Sequence, residues 1–137
     1  MFHGRRSMLF TRSILDDRLS QGALRLSVMS RHTCNDGLTP DLRLVGRFDE
    51  HRPILGPSPK LVGDYYRRTI SWLDFRSAYL LELKQEGKSQ AVEALIALAR
   101  ERDVVILCVE EHPLYCHRRL LAEECQRRCP ILLIDVG

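Results

Sequence analysis

The feature that most constrains the fold is an uninterrupted apolar run over residues 104–109, Val-Val-Ile-Leu-Cys-Val. Most of its residues are β-branched, and no polar residue alternates with them, so the run predicts a strand that is buried on both faces. Strands of this kind belong to parallel sheets that are covered by helices. The run therefore predicts an α/β fold.

Three further strands complete the predicted sheet. Residues 8–14 and 23–29 alternate apolar with polar side chains, which is the pattern of a strand with one buried face. Residues 131–134 form a short apolar strand near the end of the chain. We expect a single domain over residues 1–137, with an open, mostly parallel sheet of about four or five strands flanked by helices.

The last helix connects two of these strands. It begins at Pro113 or Cys116, ends at Arg128, and lies between the strands at 104–109 and 131–134. A strand–helix–strand unit of this kind has a right-handed crossover, so the pattern predicts that its two strands are parallel neighbours.

Serine residues mark the predicted starts of the other three helices. Ser58 precedes a proline, which is favoured at the first helical position. Ser71 and Asp74 form a capping box, and Gly87 indicates the end of the helix that they begin. Ser89 is the predicted cap of the third helix.

The segment between the second strand and the first helix, residues 30–57, is rich in glycine and proline turns. It has too few periodic apolar positions for a long helix or strand, so we predict an extended loop. Long loops in compact domains are often functional.

Composition limits the classes of partner. The chain has 21 basic and 18 acidic residues with a net charge of +3, interspersed rather than in blocks, so charge neither indicates nor excludes nucleic acid. No apolar run approaches the ~20 residues of a membrane span, and the first ten residues lack the long apolar core and small cleavage-site residues that are typical of a signal peptide. We expect a cytoplasmic protein with no membrane partner. Because five cysteines are an odd number, we expect reduced thiols.

Reactive side chains concentrate in residues 108–119, which contain two cysteines, two histidines, two glutamates and two arginines. The segment follows a predicted strand, and ligands of open α/β sheets gather beyond the carboxyl ends of the strands. It also precedes a helix, whose amino end favours an anion or a thiolate. The segment is therefore the predicted site.

Two kinds of chemistry fit this segment. In one, Cys108 or Cys116 is a reactive thiol, His117 is the general base, and Glu110 orients that base. In the other, the site binds an anion, because arginine recognises phosphate and carboxylate groups.

The anion would be bound by Arg118 and Arg31. Arg31 follows the second strand, so it reaches the same edge of the sheet as Cys108 if the two strands are parallel. Metal binding is the least favoured alternative, because neighbouring helical residues such as Cys116 and His117 point about 100° apart. We therefore predict no metal ligands.

The same segment resembles a motif of the domain-of-unknown-function family 488, which comprises small bacterial and archaeal proteins. The matching residues are Cys108, Glu110, Pro113, Cys116, His117 and Arg118. Residues 55–61 and 65–79 are also similar to that family. The resemblance implies a compact α/β domain with a shared site at the Cys-His-Arg motif. It implies no reaction, because the family is itself uncharacterised.

Our leading functional hypothesis is a protein that binds an anionic small molecule, a nucleotide or a nucleic-acid fragment through Arg118 and Arg31, with His117 exchanging a proton. Cys108 and Cys116 would shape the pocket. The alternative is an enzyme with a reactive cysteine. A third hypothesis is an interaction module whose motif mainly packs the last helix. The sequence identifies no cofactor and no oligomeric state.

Overall fold

A computed structural model of the protein describes residues 7–16, 22–34, 36, 38–109 and 116–136. These residues form one open sheet of five parallel strands flanked by four α-helices, so the predicted α/β fold is confirmed. The strands are β1 (Met8–Ser13), β2 (Leu24–Ser27), β3 (Glu50–His51), β4 (Val104–Cys108) and β5 (Leu133–Asp135). Their order across the sheet is β3-β2-β4-β1-β5.

Strand β4 lies at the centre of the sheet, and every one of its residues is buried. Its side chains alternate between two apolar cores on opposite faces. Val104 and Ile106 belong to the larger core, to which all four helices contribute. Val105 and Leu107 belong to a smaller core, which Leu44 of the long loop helps to cover. The prediction of a strand buried on both faces is confirmed.

The predicted pairing of the last two strands is wrong. Strand β5 pairs with β1, in the register Met8 to Leu133, and β1 lies between β4 and β5. The crossover rule describes the hand of the connection and the direction of the strands, and both can hold when another strand lies between them. Strand β1 has two parallel neighbours, so it fills that position.

The helices are α1 (Pro59–Tyr66), α2 (Trp72–Glu82), α3 (Glu86–Glu101) and α4 (His117–Arg128). The caps predicted at the first two are present: the hydroxyl of Ser58 accepts the N–H of Leu61, and that of Ser71 accepts the N–H of Asp74.

The predicted boundary between α2 and α3 is wrong, because α3 begins at Glu86 and contains both Gly87 and Ser89. The hydroxyl of Ser89 instead accepts a hydrogen bond from Arg128 of α4, at 3.0 Å. Contact with another helix therefore replaces the capping role that the local sequence suggested.

The segment over residues 30–57 is more ordered than a simple loop. It contains two short 3₁₀ helices, Leu42–Leu44 and Pro53–Leu55, and it contributes strand β3. Two residues are too few to show a strand period, so this strand was not predicted. None of the helices in the described part of the chain has the length and apolar character needed to span a membrane.

Candidate active site

Two cysteines meet where β4 ends and α4 begins. Cys108 is the last residue of β4, and Cys116 occupies the N-cap position of α4 without a side-chain capping hydrogen bond. Both are buried, and their sulfur atoms are in direct contact. Their Cα atoms are 7.8 Å apart, beyond the roughly 4.4–6.8 Å that is usual for disulfides. The structure nevertheless pairs the two cysteines as a disulfide, which departs from the expectation of reduced thiols. As two thiols or two metal ligands, their side chains would have to rotate apart.

The side chain of Arg118 lies against both sulfurs. It is only 1% exposed, and its Nη1 donates to Sγ of Cys108 at 3.1 Å and to Sγ of Cys116 at 3.4 Å. A guanidinium stays protonated in proteins, so it stabilises negative charge on the sulfur atoms. The sequence predicts that Arg118 binds a ligand directly, whereas the structure directs its Nη1 at the two cysteines.

His117 is the first residue of α4, and its orientation is fixed by the end of β2. Its Nε2 lies 2.8 Å from the carbonyl oxygen of Val28. Because a carbonyl oxygen can only accept, Nε2 carries the hydrogen and the neutral ring keeps a lone pair on Nδ1. Burial lowers the pKa of His117 to about 4, so the ring is neutral at pH 7.

This low pKa argues against the predicted role of His117 as general base. An ordinary thiol has a pKa of about 8.5. Moving its proton to an imidazole of pKa about 4 is uphill by roughly 6 kcal/mol. The positive charge of Arg118 is therefore a more effective source of thiolate than proton transfer to His117.

The structure also brings Cys116 and His117 together, contrary to the prediction that they diverge. The ligand atoms of Cys108, Cys116 and His117 all lie within 4.8 Å of one another. The angle of about 100° applies to two residues within a helix, whereas Cys116 is extended, with φ −130° and ψ 139°. The geometric argument against a shared metal ion is therefore wrong.

These three residues line a cavity of about 240 Å³. Arg31 lines the same cavity, because β2 and β4 are parallel neighbours and their following segments meet at one edge of the sheet. The structure thus brings Arg31 close to the cysteines, as the sequence suggested. Glu110 lies outside the described residues.

The charges around the cavity differ in how they are neutralised. Asp41 accepts two hydrogen bonds from the guanidinium of Arg43, at 3.0 and 2.7 Å, and these bonds lower the pKa of Asp41. Arg31, in contrast, makes no hydrogen bond or direct ion pair within the described part of the chain, although its positive charge helps to lower the pKa of Asp36. Arg31 is therefore the cavity arginine best placed to bind an anion.

Other lining residues were not predicted as site residues. Tyr65, Tyr66 and Phe75 form an aromatic wall, with ring centroids 4.8 Å apart for Tyr65 and Phe75 and 6.1 Å apart for Tyr65 and Tyr66. The helical spacing of the aromatic residues predicted that Phe75 packs in the core, and Phe75 is buried. Tyr65 and Tyr66 are adjacent in one helix, so their side chains cannot both face the core. This adjacency was the sequence signal that one tyrosine is exposed.

Among known proteins, the chain matches a family model. No curated protein and no solved structure matches the chain. A family model described as the "active DUF488-N3 subclade" matches residues 10–128, which extend from β1 to the last residue of α4 and include the whole Cys-His-Arg motif. The chain therefore belongs to the DUF488 family, whose resemblance was visible in that motif.

Proposed function

We propose that the protein is a thiol-dependent enzyme that acts on an anionic small molecule bound in the cavity. One observation carries this proposal: Nη1 of Arg118 donates to the sulfurs of both Cys108 and Cys116. A pocket that only binds anions would direct this guanidinium at the ligand. Here it is directed at two sulfurs that line the cavity, and it favours the nucleophilic thiolate form.

The anion-binding half of the proposal depends on Arg31. This residue lines the cavity with the cysteines, and among the described residues the carboxylate of Asp36 acts on its charge without a hydrogen bond or direct ion pair. Arginine binds phosphate and carboxylate groups through paired N–H donors. The molecule that we propose as substrate therefore carries such a group at one end and an electrophilic atom that reaches the sulfurs at the other.

The family assignment supports chemistry over a purely packing role. The matching subclade is described as active, and this chain keeps the Cys-His-Arg residues of the motif. A mainly structural motif would not need buried sulfurs beside an open cavity. The interaction-module hypothesis is therefore less well supported than the enzyme hypothesis.

A matched pair of alkylating reagents tests the reactive thiol and the anion binding in one experiment. Iodoacetate carries a carboxylate, whereas iodoacetamide is neutral, and in both cases the thiolate displaces iodide and forms an S–C bond. We expect Cys108 or Cys116 to react about tenfold faster with iodoacetate than with iodoacetamide at pH 7, because Arg31 attracts the carboxylate. Site-resolved mass spectrometry of the reduced protein measures both rates.

Two arginine variants test whether Arg31 is the residue that attracts the carboxylate of the reagent. Arg31→Gln should remove the preference for iodoacetate, whereas Arg76→Gln should keep it, because Arg76 is an exposed arginine that does not line the cavity. The proposal is wrong if neither cysteine reacts faster than the exposed thiol of Cys34. It also fails if the preference for iodoacetate is absent in the wild-type protein.

A further inference from the structure

We propose that Cys108, Cys116 and His117 together bind a soft divalent cation, with Zn²⁺ as the best-fitting ion and a fourth coordination position facing the cavity. This metal site uses the same two sulfur atoms as the proposed thiol chemistry, so it rests on the same cysteines. Because a thiolate bound to the ion is not free to attack a substrate, the ion would hold the enzyme in an inactive state.

The ligand types and their separation carry the inference. Two cysteine sulfurs and one histidine nitrogen lie within 4.8 Å of one another. Ligand atoms of a tetrahedral zinc centre are roughly 3.5–4 Å apart, and two Cys with one His is a known three-ligand set for zinc with an open position. Small side-chain rotations that separate the two sulfurs would admit the ion.

His117 forms a hydrogen bond that leaves one of its ring nitrogens able to bind a metal ion. Its Nε2–H donates to the carbonyl oxygen of Val28, so Nδ1 keeps the lone pair. Histidine ligands in metal sites commonly donate their second ring N–H to a carbonyl or carboxylate in this way, which fixes the ring. The extended backbone of Cys116 places its sulfur next to this ring rather than around the helix.

Charge balance indicates the fourth ligand. An ion of charge +2 and two thiolates sum to zero, and the guanidinium of Arg118, which donates to both sulfurs, adds one positive charge. Arg31 adds another at the cavity wall. The open position should therefore prefer an anion, such as hydroxide or the anionic group of a bound molecule.

Binding must release protons. Each sulfur that is still a thiol loses its proton to solvent as the S–metal bond forms, so at most two protons leave per ion and His117 contributes none. No oxidant or reductant takes part. An intact disulfide between the two cysteines would block the site, so the test uses reduced protein.

The test is a titration of the reduced, metal-free full-length chain with Co²⁺, followed by Zn²⁺. We expect one Co²⁺ per chain, thiolate-to-cobalt charge-transfer absorption, the visible bands of tetrahedral cobalt, and loss of both signals when Zn²⁺ displaces the Co²⁺. Cys116→Ser and His117→Gln should each weaken binding by about tenfold or more. Cys34→Ser, which removes a thiol of the same cavity outside the cluster, should leave binding unchanged.

A second readout does not depend on how well the variants fold. In the wild-type protein, Zn²⁺ should slow the iodoacetamide labelling of Cys108 and Cys116 by about tenfold or more while labelling of Cys34 is unchanged. The inference is overturned if reduced wild-type protein gives no cobalt charge-transfer band, or if the band survives the double substitution Cys108→Ser and Cys116→Ser.

The two proposals fail separately. If the cobalt bands are absent but the iodoacetate preference is present, the metal site is wrong and the thiol enzyme stands. If the bands are present and the iodoacetate preference is absent, the metal site stands and the proposed function is wrong.

Discussion

Two cysteines at opposite ends of α4 show how position changes the chemistry of the same side chain. Cys116 occupies the N-cap position of the helix, lines the cavity and accepts a hydrogen bond from Arg118. Cys125 lies near the carboxyl end and is fully buried in the larger apolar core. Burial raises the pKa of Cys125 to about 12, against the opposing charge of Arg128.

The difference shows that burial alone does not decide the reactivity of a thiol. Both sulfurs are buried, but that of Cys116 accepts a hydrogen bond from a guanidinium beside an open cavity, whereas at Cys125 burial in the apolar core outweighs the nearby charge of Arg128. A positive charge and a helix amino end favour the thiolate, whereas an apolar environment favours the neutral thiol. Cys116 is therefore placed for chemistry and Cys125 for packing.

The largest expected effect comes from removing the charge at the reactive end. Arg118→Met keeps a long apolar side chain but removes the donor to both sulfurs. We expect iodoacetamide labelling of Cys108 and Cys116 at pH 7 to slow by about 30- to 100-fold, equivalent to roughly 2–3 kcal/mol of lost thiolate stabilisation. Rates measured by mass spectrometry on the reduced protein check this.

Two comparisons separate this effect from general unfolding. Arg118→Lys keeps the charge and should retain part of the reactivity. Arg119→Met removes the neighbouring arginine, which pairs with Glu123, and should leave labelling unchanged. Equal labelling in Arg118→Met and the wild-type protein would contradict the role assigned to this guanidinium.

The second effect concerns stability at the packed end. Glu124 accepts from the guanidiniums of both Arg127 and Arg128, with the Arg128 bond at 2.8 Å, and its side chain is only 7% exposed. Glu124→Gln leaves Arg128 without this carboxylate, so we expect a loss of about 2 kcal/mol in the free energy of unfolding. Urea unfolding measures the loss.

The same variant should leave the labelling of Cys116 unchanged, because Glu124 contacts the other end of the helix. If labelling at Cys116 changes severalfold in Glu124→Gln, the two ends of α4 are coupled and the comparison between them does not hold.

The smallest effect is a pH dependence that belongs to Cys125. Its pKa is raised from 9.0 to about 12 in the folded protein, so the unfolded chain loses its thiol proton first as the pH rises. The contribution of the Cys125 thiol to the free energy of unfolding is fully present below pH 9 and is lost as the pH rises from 9 to 12. Between pH 8 and 10 the wild-type protein should lose about 1.4 kcal/mol more than Cys125→Ala.

Denaturant unfolding of both proteins at the two pH values measures this difference, since other groups titrate alike in each. An identical pH dependence of the two proteins would mean that Cys125 is ionised or solvated in the folded state.

Local patterns were sufficient to predict the elements that depend on local physics. The apolar run at 104–109 predicted the central strand, and Ser58 and Ser71 predicted the starts of two helices. Where tertiary contacts compete with local signals, the sequence was misleading: Ser89 bonds with Arg128 instead of capping α3. The position of β5 beside β1 depends on pairing across the whole chain.

The candidate site was predictable in its residues but not in their contacts. The density of reactive side chains located Cys108, Cys116, His117 and Arg118, and strand direction suggested Arg31. Which group Arg118 contacts depends on side-chain conformation, which sequence spacing does not determine. For the same reason the approach of His117 to the two cysteines, and the aromatic wall from α1 and α2, became visible only in the structure.

The most direct test of the central claim is the rate of iodoacetamide labelling at each cysteine of the reduced, metal-free wild-type protein at pH 7. We predict that Cys108 or Cys116 reacts about tenfold or more faster than the exposed Cys34, and that Cys125 is the slowest. If both site cysteines react no faster than Cys34, Arg118 does not generate a reactive thiolate and the account of this site is wrong.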